Sequence, residues 1–477
     1  MKNSKTVALL ASFSANDLIR FRKFLSSPYF NENHELVQLF DLLVQEVIPA
    51  KGSIHTKESL WKALFQKTPY FDQTLRRLLS DLTRHGLTYL ACRNFLSDPL
   101  EETVAKLPAL LDPSLEKHFE GVIRQSDLTR EKTPGYRPGS YYHRFVIERH
   151  RHLQLEMAGT KPGTLSFLES ADYYLDCFYF VQKLKNYCDV LDYRKNMTLE
   201  VSLRELPGLL EYLRDSPYAE VPLIKAYLFV YDMLRRPEEE SAFRNLKKLL
   251  AEEGSHFEKK EQYILFIHLT NYCIGAKINQ GEPQYFHELF ALYQVALEKH
   301  IIIEEGVLDP FHYKNIITAG LRVNALDWTE QFIRDYTPLL SDSSQANAFT
   351  YNLAKVYFQQ ERYDKVIEQL REVEYQDLVY TLGAKLMLLK TYYELNEFLA
   401  LDSLSDSFRI FLQRNKYISR EVKQQYLNVL RFVKKLSNIR PGDDATIEKV
   451  RQQVENCHAL GDKAWIIEKL QHLKKKG

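Results

Sequence analysis

Glycine is scarce in this chain, 17 residues of 477, about half the usual share. Few glycines mean few tight turns, which argues against β-sandwiches and barrels and for long helices. There is no apolar run of the roughly eighteen residues that a membrane-spanning helix needs. No excess of one charge exists either: Lys plus Arg is 64 and Asp plus Glu is 63. Near-neutrality removes any global pull toward nucleic acid or an anionic membrane. The five cysteines, Cys92, Cys177, Cys188, Cys273 and Cys457, stand apart and form no Cys-x-x-Cys pair. An odd, scattered set suits a reducing compartment. Phosphate-loop, dinucleotide, zinc-protease and nucleophile-elbow patterns are all missing. The stretch AGTKPGT places Gly near Lys without phosphate-loop spacing. The expectation is therefore a non-enzymatic, cytoplasmic protein without cofactor or metal, an enzyme with an unfamiliar site being a further alternative because fold alone does not exclude one.

The N-terminus carries a weak contrary signal. Lys2 and Lys5 precede VALLASFSA, as in a short signal peptide. Its strictly apolar run, Val7 to Ala11, is shorter than the usual h-region. The expected reading is a short helix before a Ser14 cap.

What is abundant is apolar and aromatic. Hydrophobic residues make up 45%, and 30 Tyr and 27 Phe are present. At helical spacing such residues mark packing faces. Leu18, Ile19, Phe21 and Leu25 share one face, opened by a Ser14–Asp17 capping box. SPYFN, at residues 27–31, then reads as a helix–helix corner. Pro28 ends the first helix, Asn31 or Asn33 caps the second, and Tyr29 and Phe30 plug the wedge.

Four regions follow. Residues 1–97 form a helical head, in which Thr56 caps one helix and Asp72 caps a longer one bearing Leu75, Leu78, Leu79, Leu82 and Tyr89. Residues 98–204 form a helical connector with loops at 131–141 and 158–164 and one very long helix near 165–196. Residues 205–437 form paired helices. Residues 438–477 form a C-terminal helical cap with a basic tail, LKKKG.

The pairs repeat. VNALDWTEQFI, QQERYDKVIEQL and ELNEFLALDSL place Trp328, Tyr363 and Phe398 at intervals of 35 residues, each expected to open a second helix and to be buried. Tyr357 and Tyr392 are spaced alike. This period resembles the tetratricopeptide repeat. Leu353-Ala354, Tyr357 and Tyr363 carry the resemblance, while Val366 and Leu389 stand where that repeat has small residues. It covers residues 312–415 best. SPYFN, LRRLLSDL, YKNIITAGL, LDWTEQFI and MLLKTYYEL, in that order, also resemble a family of uncharacterised bacterial helical proteins, which implies no activity. The expected fold is all-α, a stack of tetratricopeptide-like hairpins forming an α-solenoid with a helical head. Such a stack offers an extended concave surface, so the expected function is a protein- or peptide-binding scaffold.

Three candidate sites follow. Lys355 and Lys390 match across two repeats, as do Tyr351 and Leu386 one turn earlier. The tetratricopeptide resemblance places them on the groove-lining first helices, where they suit an acidic peptide or a C-terminal carboxylate. In a rival reading, residues 55–96 resemble the helical part of a winged-helix domain. Arg76, Arg77, Arg84 and His85 would then contact DNA, although no strand-turn-strand wing follows Gly86. In YYHRFVIERHRH, His143 and His150 lie seven apart, with Glu148 and His152 close by. Zinc needs converging ligands, and no second cluster is evident, so a solvated basic helix is expected.

Overall fold

Ser14 begins the first long helix as its spacing requires. Its hydroxyl accepts the Asp17 N–H at 3.1 Å, and the Asp17 carboxylate accepts from Ser14 in return. In the computed structural model, which describes residues 4–47, 56–66, 68–132, 135–157, 159, 166–196, 206–340, 345–371 and 378–475, that helix spans Ala15–Leu25. The next helix begins at His34. Between them, the Asn31 amide donates to Leu25 O at 2.8 Å and so closes the first helix. Asn33 Oδ1 accepts the Glu35 N–H at 2.8 Å and opens the second. Phe30 stacks on Phe24 at 4.2 Å. Tyr29, expected to plug the wedge with it, is instead 89% exposed. Ile19 is also exposed, because the buried stripe of Leu18, Phe21 and Leu25 does not extend to its side of the helix.

Twenty-three α-helices are found among the described residues, and the fold is all-α. The sole ladder among these residues is a two-residue antiparallel pair, Ile303–Glu304 with Val307–Leu308. Thr56 caps Lys57–Phe65 as expected. Asp72 does not cap the long helix Asp72–Ser97. It is that helix's first residue, and its carboxylate bonds Lys57 at 2.8 Å and Arg76 at 2.6 Å. Of the expected loops, 158–164 lies outside the described residues apart from Gly159. The described part of 131–141 is largely the end of helix Glu116–Lys132 and the start of helix Pro138–Met157.

Contacts divide the chain into two units. One is Met1–Tyr231 with Ser255–Glu258; the other is Asp232–Gly254 with Lys259–Gly477. In the first, Val7, Leu10 and Phe13 join Phe21, Leu39, Phe40, Leu78 and Leu82 in the core of the head. Gly86 permits the close approach of helix Lys5–Ala11, since a Cβ there would lie 2.8 Å from the end of Leu9. The long helix Ser166–Asn196 buries Val181, Leu184, Tyr187 and Cys188.

The second unit contains consecutive helical hairpins. Pro310–Arg322 pairs with Leu326–Tyr336, Gln345–Gln359 with Tyr363–Arg371, and Leu378–Glu394 with Phe398–Arg414. All three turns have one geometry. Asn324, Glu361 and Asn396 adopt φ of 59°, 58° and 57°. The next residue's N–H returns to a carbonyl five residues back, at 2.9 Å each time: Ala325 to Gly320, Arg362 to Tyr357 and Glu397 to Tyr392. This is the Schellman closure, with its left-handed residue just past the helix end. The turn residues are spaced 37 and then 35. Tyr363 and Phe398 therefore correspond, each opening its helix, whereas their counterpart in the first hairpin is Leu326 and not Trp328. The expected equivalence of Trp328 fails by two residues. The expected burial fails too: Phe398 is 41% exposed, and Trp328 and Tyr363 are only half-buried.

Candidate functional site

Helix Gln345–Gln359 buries Ala348, Asn352, Leu353, Ala354, Val356 and Tyr357. Tyr351, Lys355 and Phe358 are left on an adjoining stripe at helical spacing. Lys355 Nζ lies 4.5 Å from the centroid of the Tyr351 ring and 3.5 Å from Asn352 Oδ1. Among the described residues no carboxylate stands within ion-pair reach of it. Burial pushes its ammonium down to about 8, with the nearby Lys314 charge adding to the effect. A desolvated cation without a counter-ion destabilises the fold unless something else compensates.

Tyr351 is itself fixed. Its ring meets Tyr380 edge-on at 5.4 Å. Its hydroxyl lies where residue 383 has no side chain: a Cβ on Gly383 would fall 2.3 Å from that oxygen. Burial raises the phenol to about 12. The platform beneath Lys355 is therefore rigid.

Lys390 stands at the matching place, six residues before its turn, as Lys355 does. Its ammonium also meets an aromatic ring of helix Gln345–Gln359, that of Phe358 at 4.9 Å. Its state is different. Asp462 Oδ2 pairs with it at 3.1 Å, and the Trp465 ring lies 5.3 Å away. Trp465 Nε1 donates to Glu394 at 3.0 Å, and Lys469 pairs with Glu394 at 2.8 Å. Helix Lys463–Lys475 and the residue before it thus cover the end of helix Leu378–Glu394. The expected pair of available lysines is corrected to one: Lys390 is already neutralised by this chain's own carboxylate. Leu386 is half-buried against the adjoining core. Sequence reasoning missed Lys314 and Asp462, which lie 41 and 107 residues from Lys355. No local pattern links them to it.

The head's basic residues do not converge. Arg76 pairs with Asp72 at 2.6 Å and Arg84 with Asp81 at 3.0 Å. Arg77 is exposed. Burial, followed by Arg84, lowers the His85 imidazole. The helix continues through Gly86 to Ser97, so no strand follows Gly86.

Nor do the histidines of Pro138–Met157 converge. His150 Nδ1 contacts Val146 O at 2.7 Å, His152 faces Glu156 at 3.2 Å, and Glu148 pairs with Arg151 at 3.2 Å. His143 turns away from them to Glu101, 2.9 Å from its Nε2. The same helix borders a cleft of about 820 Å³ lined by Arg137, Tyr141, Arg144, Glu148, Tyr173 and Tyr174 among others. Arg144 donates to the Tyr174 hydroxyl at 2.9 Å. Burial raises the Glu148 carboxyl, and it raises the Tyr173 phenol to about 12.

No family model, curated protein or solved structure matches this chain.

Proposed function

We propose that the second unit is a tetratricopeptide-like solenoid scaffold whose first helices bind an acidic segment of a partner protein, with Lys355 as the anchor. The observation that carries this reading is the unpaired, desolvated Lys355 ammonium over the Tyr351 ring. A partner carboxylate supplies the missing counter-ion through a charge-assisted bond. Tyr351 and Leu386 supply apolar contact beside it. Lys314 adds long-range attraction, which steers acidic partners. The recurrent turn geometry at Asn324, Glu361 and Asn396 supports the solenoid reading, since stacked hairpins present their first helices side by side. Lys390 contributes shape, because its charge is already met by Asp462.

Fluorescence anisotropy with a labelled Glu-rich peptide tests this. The account expects salt-sensitive binding that Lys355→Met weakens by about tenfold or more, a loss of roughly 1.4 kcal/mol. Lys390→Met should retain most of the affinity. Equal affinity in wild type and Lys355→Met removes the proposed anchor.

A further inference from the structure

We infer that the first unit holds a divalent transition-metal site formed by Asp98, Glu101 and His143. One potential donor atom from each of these residues falls within a mutual distance of 4.8 Å. The local sequence builds half of it. Asp98 is the N-cap of helix Pro99–Lys106, its Oδ1 accepting the Leu100 N–H at 3.0 Å, and Pro99 occupies the first helical position. Three residues on, Glu101 returns to the same side of that first turn. His143 comes from helix Pro138–Met157, which packs on the shorter helix.

The second observation is the state of the imidazole. His143 is 2% exposed, and neither ring nitrogen has a hydrogen-bond partner among the described residues. Glu101 Oε1 is only 2.9 Å from Nε2, so the oxygen is close but lies off the direction an N–H would take. Orphaned buried nitrogens are costly and call for an explanation, a bound ion being one. An imidazole lone pair and a carboxylate oxygen at this separation suit two adjacent ligands on one ion, with bonds of about 2.0–2.2 Å each.

Charge agrees. Arg137 bonds Asp98 Oδ2 at 2.5 Å and approaches Glu258 at 3.8 Å. Asp98, Glu101 and Glu258 against one guanidinium leave two negative charges, those of one dication. The capped and paired Asp98 oxygens each keep a second lone pair for the ion. One nitrogen and two oxygens suit Zn²⁺ or Mn²⁺ better than soft Cu(I), which prefers thiolate and thioether ligands. Asp98 also lines the 820 Å³ cleft, so the ion would stand at the edge of that cleft.

Calorimetric titration of chelator-treated full-length protein with Zn²⁺ tests the site. One saturable equivalent per chain is expected. Glu101→Gln, at a half-exposed position that the fold tolerates, and His143→Gln should each weaken it about tenfold or more. His150→Gln should leave it unchanged, since His150 is outside the cluster. Circular dichroism verifies that the variants are folded, and Glu101→Gln alone decides should His143→Gln misfold. No saturable binding in the wild type overturns the proposal. So does wild-type affinity in Glu101→Gln.

Discussion

Lys355 Nζ sits 4.5 Å from the centroid of the Tyr351 ring, one helical turn away, with burial and the Lys314 charge both acting against its proton. The ring's negative face compensates part of the lost hydration, but not all of it, because the amine is depressed to about 8 from the usual 10.5. Unfolded chains hold this proton more tightly than the folded one. Stability contributed by this group therefore rises with pH between about 8 and 10.5 and is lowest below 8. Lys355→Met should accordingly stabilise the protein at pH 7, on the order of 1–3 kcal/mol. The gain should fade across that window. Denaturant titrations at pH 7 and pH 10.5 check this; a destabilised variant at pH 7 contradicts it.

Gly383→Ala should disturb the same site from beneath. The added Cβ would meet the Tyr351 hydroxyl at 2.3 Å and its ring carbons at 2.7 and 2.8 Å. The ring is stiff and braced by Tyr380, so the helices must shift. Overpacking of this kind costs about 1–3 kcal/mol. Thermal unfolding reads the loss, and an unchanged midpoint would mean that the ring has room to move.

Lys277 offers a contrasting cation. It is 5% exposed, pairs with Glu282 at 3.2 Å and lies near the Tyr272 and Tyr285 rings. Here the counter-ion is internal. Glu282→Ala strands a buried ammonium and should cost about 3 kcal/mol. Lys277→Met should cost less, since Glu282 is partly exposed. Urea titration of the two variants gives the order.

At the helix corner, the two aromatic neighbours should differ. Phe30→Ala removes the stack on Phe24 and should cost about 0.5–1.5 kcal/mol. Tyr29→Ala, at an 89% exposed position, should stay within about 0.5 kcal/mol of wild type. The reverse order would place Tyr29 in the packing after all.

Much of the fold was legible because its signals are local. The Ser14 capping box, the Thr56 cap, the Asn31–Asn33 corner and the long helix Ser166–Asn196 depend on residues within a turn or two. Register across hairpins was less so. The interval from Asn324 to Glu361 is two residues longer than the next one, and aligning on aromatics absorbed that difference into Trp328. Asp72 looked like a cap from its residue type, yet Lys57 and Arg76 draw its carboxylate elsewhere. At the candidate site, matching Lys355 with Lys390 was legible from spacing. That only Lys390 of the pair has a carboxylate partner among the described residues was not, because Asp462 lies 72 residues beyond Lys390 and only tertiary packing brings it there. The meeting of His143 with Asp98 and Glu101 is tertiary in the same way.

The proposed site turns on Lys355 as a desolvated cation with a lowered pKa and no carboxylate of its own among the described residues. Nuclear magnetic resonance with lysine side-chain labels, assigned through Lys355→Met, measures its titration directly. The account predicts a midpoint near 8 in the free protein and a rise toward the usual 10.5 when a Glu-rich peptide is bound. A midpoint at 10.5 in the free protein, or one that the bound peptide leaves unmoved, would contradict it.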